Sequence, residues 1–265
     1  MAPRDVSPAQ EDDPIHDKPM PLLEHLVELR RRLLWSGAAF MVAFVVCYHF
    51  SGQIYFFLAQ PLAHIMEQRH EAPHLIYTAL YEAFFTYLRV AFFGAAFIAF
   101  PVIASQIWLF VAPGLYRSEK RAIAPFLIAT PVLFLLGAAL AYYFVFPVAW
   151  HFFLSFETTG GTDGLQIQLE AKVSEYLDLV MKLIFAFGVC FQLPVLLTLL
   201  AKVGIVSSAS LRKFRRYAYV GMFVVAAVLA PPDIITQCGL ALPLIVLYEV
   251  SIVSARFVEP KPVEI

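Results

Sequence analysis

The chain has 265 residues, 60% of them hydrophobic and only 15% charged, with 19 basic against 20 acidic residues and a mean hydropathy of +0.73. So apolar a composition excludes the soluble classes, and the near-neutral balance removes the bulk basic signal that a nucleic-acid partner requires. A lipid bilayer is the expected solvent.

Residues 1–20, MAPRDVSPAQEDDPIHDKPM, are acidic and proline-rich without an apolar core, which reads as a flexible tail and as neither a secretory signal nor an Arg-rich transit peptide. Over 21–33, Leu22, Leu26, Leu29 and Leu33 recur at helical spacing while Glu24, Glu28, Arg31 and Arg32 fall on the opposite side. This is an amphipathic lead-in that would lie at the membrane interface. Crossing a hydrocarbon core of roughly 30 Å takes about 20 apolar residues, and such stretches occur at 33–50, 90–111, 123–150 and 176–200. The region 217–253 is apolar apart from Asp233 and Glu249, and Pro231-Pro232 interrupts it. Proline cannot continue a helical ladder, so the region reads as a hairpin of two short helices.

The expected fold is an all-α integral membrane protein of six transmembrane helices, with 21–257 forming one membrane domain and 258–265 a second short tail. Pro101, Pro131, Pro194 and Pro243 inside the spans predict a kinked, concave bundle. Gly94-Ala95-Ala96 and Gly137-Ala138-Ala139 would let helices approach closely. The connections 51–87 and 151–175 are long enough to hold short helices. Cys47, Cys190 and Cys238 sit in apolar runs without a CxxC pair and read as buried free thiols.

Lysines and arginines set the orientation. With a cytoplasmic N terminus, fifteen basic residues fall on that side, among them Arg30, Arg31, Arg32, Arg117, Lys120, Arg121, Lys202 and the group from Arg212 to Arg216. Arg69, Arg89, Lys172 and Lys182 complete the nineteen on the other side. Both termini are therefore expected in the cytoplasm.

Few residues offer chemistry. Glu28 has Arg32 four residues on, which by itself describes an ordinary helix-surface pair. Glu119 lies in Arg117-Ser118-Glu119-Lys120-Arg121 after the Pro113-Gly114 turn, and by itself describes a solvated loop. Taken together, two carboxylates on one surface could each accept a guanidinium in a bidentate hydrogen bond, a geometry lysine cannot reproduce. Gln192, deep in the fourth span, needs a partner: either an intramolecular carbonyl, such as the one Pro194 frees, or another membrane helix. Asp233 reads as a helix N-cap. No HExxH, GxSxG, Walker loop or Gly-rich dinucleotide turn is present, so no enzyme, metal or cofactor is expected.

The stretches His25-Leu26-Val27-Glu28-Leu29-Arg30-Arg31-Arg32-Leu33, QIWLFVAPGLY at 106–116 with Glu119-Lys120-Arg121, Ala141-Tyr142 through Phe146-Pro147, Ala186-Phe187-Gly188-Val189 and Leu229-Ala230-Pro231-Pro232-Asp233 resemble the TatC family of the twin-arginine translocase. The likeness runs in order over residues 21–257. It implies a six-helix, cup-shaped receptor that recognises twin-arginine signal peptides and helps export folded proteins, powered by the proton gradient across a prokaryotic inner membrane. In that family the acids matching Glu28 and Glu119 bind the paired arginines, with Arg30, Phe110, Leu115 and Arg121 shaping the same patch. Pro61, Tyr142 and Asp233 match residues important for assembly or transport. Many relatives carry a glutamate where this chain has Gln192; an amide keeps the hydrogen bonding but not the charge, so docking of a polar-tipped partner helix survives. The implied partners are TatA-type and TatB-type single-span subunits and further copies of the chain. The competing reading is a small-molecule secondary transporter, which calls for internal repeats and charged or broken helices at the midplane; no repeat is evident and Gln192 is the sole candidate. An intramembrane enzyme lacks its acids, Ser/His pair or metal ligands in the same way.

Overall fold

A computed structural model describes residues 22–70, 72–111, 124–157, 169–229 and 233–259. Glu119, Leu115, Arg121 and the Pro231-Pro232 break lie outside the described residues. Helix α1 (Leu22–His49) absorbs the amphipathic lead-in and the first span without interruption. α2 (Ser51–Gln68) occupies the first long connection as a helix of its own. α3 (Glu82–Val111) returns antiparallel to α1, and the two meet through small residues: Ala43, Ala95 and Ala99 are buried between Phe40, Phe44 and Ile103.

The third span is composite. α4 (Ala124–Leu140) passes through a five-residue π turn (Ala141–Val145) into α5 (Phe146–Leu154). The fourth is composite too: α6 (Val173–Cys190) stops at Phe191-Gln192, and α7 (Leu193–Lys202) restarts with Pro194 near its first position, where a missing N–H costs nothing. α8 (Ser208–Leu229) and α9 (Ile234–Val258) form an antiparallel pair.

Among the described residues, five segments are long and apolar enough to cross a membrane: Leu26–His49, Glu82–Phe110, Pro125–Leu154, Val173–Lys202 and Ile234–Val258. α8 is not one of them, because Arg212, Lys213, Arg215 and Arg216 load its first turns and leave only 217–229 uncharged.

The main core joins α2 to α9, with Phe146, Phe187, Leu177, Leu183 and Leu240 wholly buried. Two glycines permit the tightest crossing. A Cβ on Gly137 would stand 2.6 Å from the Phe187 carbonyl oxygen, and one on Gly188 would stand 2.5 Å from the Phe134 ring. α4 and α6 therefore touch backbone to backbone, as expected where lipid supplies no hydrophobic drive and association depends on close packing. Large apolar side chains such as Leu33, Leu34, Tyr143, Val228 and Phe257 remain on the exterior; facing hydrocarbon, that is their favoured place. Of the three free thiols, Cys47 is buried and Cys190 and Cys238 are half-buried.

Candidate functional site

The termini end of the bundle holds the first candidate. Glu28 lies one helical turn before Arg32, and its Oε1 accepts from Arg32 Nε at 3.0 Å and from Nη2 at 2.5 Å. The remaining arm of the guanidinium, Nη1, donates to Gln106 Oε1 on α3 at 3.3 Å. The acid and base are each about four-fifths buried, with side-chain exposures of 22% and 21%. Sequence reasoning found the Glu28–Arg32 pair but gave Gln106 no role; only the antiparallel register of α1 and α3 brings it across. Phe110 lies one turn beyond Gln106 and is half-buried. Arg30 is exposed and lies roughly 200° around α1 from Glu28, where it borders a groove with Val27, Leu34 and Trp35.

The second candidate lies deeper. Gln192 Nε2 donates to the Thr130 carbonyl on α4 at 3.0 Å and to the Gly188 carbonyl at 3.4 Å, so its amide is held within the molecule. Neither acceptor is the Cys190 carbonyl that Pro194 frees, because the turn at Phe191-Gln192 aims the side chain at α4. Gln192 Oε1 is buried without a partner. Thr130 is itself a junction: its hydroxyl accepts from Trp108 Nε1 at 2.9 Å and donates to the Phe126 carbonyl at 2.8 Å. The end of α3 is thereby tied to α4, and α4 to the α6–α7 break.

The opposite end is organised by α2. The Tyr142 hydroxyl donates to the Phe57 carbonyl at 2.7 Å, with the two rings stacked at 4.5 Å and 2°. Tyr176 donates to the adjacent Leu58 carbonyl at 3.0 Å. Glu82, buried at the start of α3, was missed by sequence reasoning. Its Oε2 accepts from Thr78 N at 2.9 Å and Ala79 N at 3.3 Å, and its Oε1 from the Ser174 hydroxyl at the start of α6 at 2.6 Å. The signal available was an acid at the head of an apolar run, the residue type enriched in the first turn of a helix.

Asp233 is the N-cap of α9: its Oδ2 accepts from Thr236 N at 2.7 Å and its Oδ1 from the Thr236 hydroxyl. Glu249 is paired, with Arg215 at 2.7 Å and the Tyr219 hydroxyl at 2.5 Å, which fastens α8 to α9. Among the described residues no group of His, Cys, Asp or Glu could hold a metal ion. An apolar cavity of about 320 Å³ opens between α2, α3 and α4, lined by Phe57, Phe93, Phe97, Ala138 and Tyr142. Of the two tyrosines in its lining, Tyr142 turns its hydroxyl onto the Phe57 carbonyl, and apart from Tyr143 the remaining lining is apolar, a poor match to a polar solute.

Apolar spans joined by a few polar contacts between helices define a multi-pass helical membrane protein. The profile of the family described as Sec-independent protein translocase protein (TatC) matches residues 24–243. A Sec-independent protein translocase protein TatC of Magnetococcus marinus is 51% identical over 244 residues, covering 92% of this chain and 87% of its own. The protein of the same description from Rickettsia prowazekii is 48% identical over 236 residues, covering 89% and 92%. A crystal structure of the twin arginine translocase receptor TatC superposes with a TM-score of 0.74 at 36% identity, covering 88% of this chain and 99% of that one. The chain belongs to the TatC family of Sec-independent protein translocases.

Proposed function

We propose that this protein is the receptor subunit of a twin-arginine translocase in a prokaryotic inner membrane, with both termini cytoplasmic, and that it binds the two arginines of a signal peptide at Glu28 and Glu119. It acts in transport and not as an enzyme. The observation that carries this reading is the Glu28 carboxylate already holding a guanidinium at the end of the bundle richest in basic loops. Two N–H groups of one planar guanidinium meeting a carboxylate oxygen is a geometry that separates arginine from lysine, since an ammonium is a point charge. Phe110, Leu115 and Arg121 would shape the patch, and Arg30 its rim.

In this reading α8 is the sixth span. Its short uncharged run, 217–229, covers roughly 20 Å at 1.5 Å per residue, so the bilayer thins beside it. The peptide's apolar segment inserts along the concave face of a cup-shaped domain. Single-span subunits of the TatA and TatB type, and further copies of the chain, dock against the later helices, and a polar-tipped helix reaches Gln192, whose Oε1 is buried and unpartnered, only by parting the side chains that cover it. The proton gradient supplies the energy.

The test is binding of a synthetic twin-arginine signal peptide and its twin-lysine counterpart to detergent-solubilised protein. Arginine-selective binding that collapses in Glu28→Ala/Glu119→Ala is expected. Absence of binding by folded wild type would remove the receptor reading, and unchanged binding by the double variant would move the site.

A further inference from the structure

We infer that Arg32 is a resident occupant of the arginine site and that Gln106 is part of that site, so that a signal-peptide arginine binds by exchanging with Arg32 on Glu28 and Gln106. The inference rests on the reading of Glu28 as an arginine-recognising carboxylate. Its basis is the set of three contacts made by one guanidinium: Nε and Nη2 on Glu28 Oε1, and Nη1 on Gln106 Oε1 at 3.3 Å. A planar fork presents donors along two edges, so it meets a carboxylate on one helix and an amide oxygen on another in its own fixed geometry; an ammonium has to meet both from a single nitrogen. The chain's own arginine thus displays the recognition geometry, and it blocks it.

The block can be lifted. Among the described residues, the only bond from Arg32 to another helix is the one to Gln106, and both side chains of the Glu28–Arg32 pair keep about a fifth of their surface open. An incoming arginine that makes the same three contacts replaces them one for one, while the displaced Arg32 turns to water or lipid phosphate. The resident cation also keeps Glu28 from being a bare carboxylate beside apolar surface, where an unpaired charge is costly. It sets a threshold as well: a peptide must displace Arg32 to bind, and a lysine, which meets Glu28 and Gln106 from a single nitrogen without the fork geometry, exchanges less favourably than an arginine. The exchange also transfers Gln106 from an α1–α3 link to the peptide, which loosens α1 from the end of α3 when cargo arrives.

Two probes separate this inference from the receptor reading: a full twin-arginine signal peptide, and acetyl-Arg-Arg-amide, which carries the recognition groups alone. Arg32→Ala is expected to bind acetyl-Arg-Arg-amide on the order of tenfold more tightly than wild type, as for removal of one charge-assisted competitor. The gain should vanish when Glu28→Ala or Gln106→Leu is added, and Arg32→Lys should give a smaller gain, about threefold, because a lysine still competes for the site but without the planar fork. Unchanged or weaker dipeptide binding by Arg32→Ala, at an unchanged unfolding temperature, overturns the inference and leaves Arg32 as a positioning partner of Glu28. Should Arg32→Ala not fold, Arg32→Lys decides alone: no gain overturns the exchange. If wild type shows no preference for the full twin-arginine peptide while Arg32→Ala still gains the dipeptide at Glu28, the exchange stands and the receptor reading falls.

Discussion

Tyr142 completes the helix that Pro61 leaves incomplete. Pro61 has no N–H to give to the carbonyl four residues back, which is that of Phe57, and the Tyr142 hydroxyl donates to this oxygen at 2.7 Å. The two residues, distant in sequence, form one device that holds α2 across the end of the bundle. Tyr142→Phe should cost about 1 kcal/mol by leaving that carbonyl unmatched. In a Pro61→Ala background, where the helix supplies its own donor, the same change should cost measurably less. Thermal unfolding of the four proteins in detergent gives the coupling directly; strictly additive effects would show that the two residues do not act as a unit.

Glu82 gathers the starts of α3 and α6 onto one buried carboxylate. Glu82→Gln keeps the shape but replaces one acceptor oxygen with a donor among donors. A loss of about 1.5–3 kcal/mol is expected, the range for hydrogen bonds to charged groups, read as a lower denaturation midpoint. An unshifted midpoint would mean the surrounding contacts hold these helix starts without the acid.

Gln192 permits an ordering test. Gln192→Leu removes a single interhelical bond and should change stability in detergent by only about 0.6 kcal/mol, the average for such bonds in membranes. Gln192→Glu sets a carboxylate against the Thr130 and Gly188 carbonyls and should cost more, about 1–3 kcal/mol. Co-purification of a single-span TatA-type or TatB-type subunit is the functional readout: Leu should lower it although the fold is nearly unaffected. Leu proving the more damaging of the two to stability would contradict the hydrogen-bond assignment.

Gly137 and Gly221 make a matched pair. A methyl at Gly137 meets the α6 backbone, whereas one at Gly221 meets nothing within 4 Å. Gly137→Ala should destabilise by about 1–3 kcal/mol through overpacking, and Gly221→Ala should be neutral or stabilise by roughly 0.5–1 kcal/mol, because alanine loses less backbone freedom in a helix. Unfolding midpoints of the two variants decide, and equal effects would refute the close α4–α6 crossing.

What the residues announced by themselves is what local chemistry controls. The apolar runs became α1, α3, α4 to α5, α6 to α7 and α9; Asp233 capped α9 as its position before a helix suggested; Arg32 met Glu28 one turn away. The break in the fourth span was less legible, since Pro194 marks it but not where Gln192 would then point. α2 was anticipated only as a connection long enough for a helix, because it is neither as apolar nor as long as a span. Glu82 passed unnoticed because its partner Ser174 lies on another helix.

The sequence therefore determined the solvent, the helices, the charge asymmetry and, through its motifs, the family, all of which depend on composition and on neighbours within a turn or two. Only the tertiary structure decided the pairings that join Tyr142 to Phe57, Glu82 to Ser174, Arg32 to Gln106 and Gln192 to Thr130. The physical reason is the bilayer. A helix that is apolar all round carries no stripe to say which face turns inward, so register and rotation are set by small-residue contacts and by the few polar groups that must find one another.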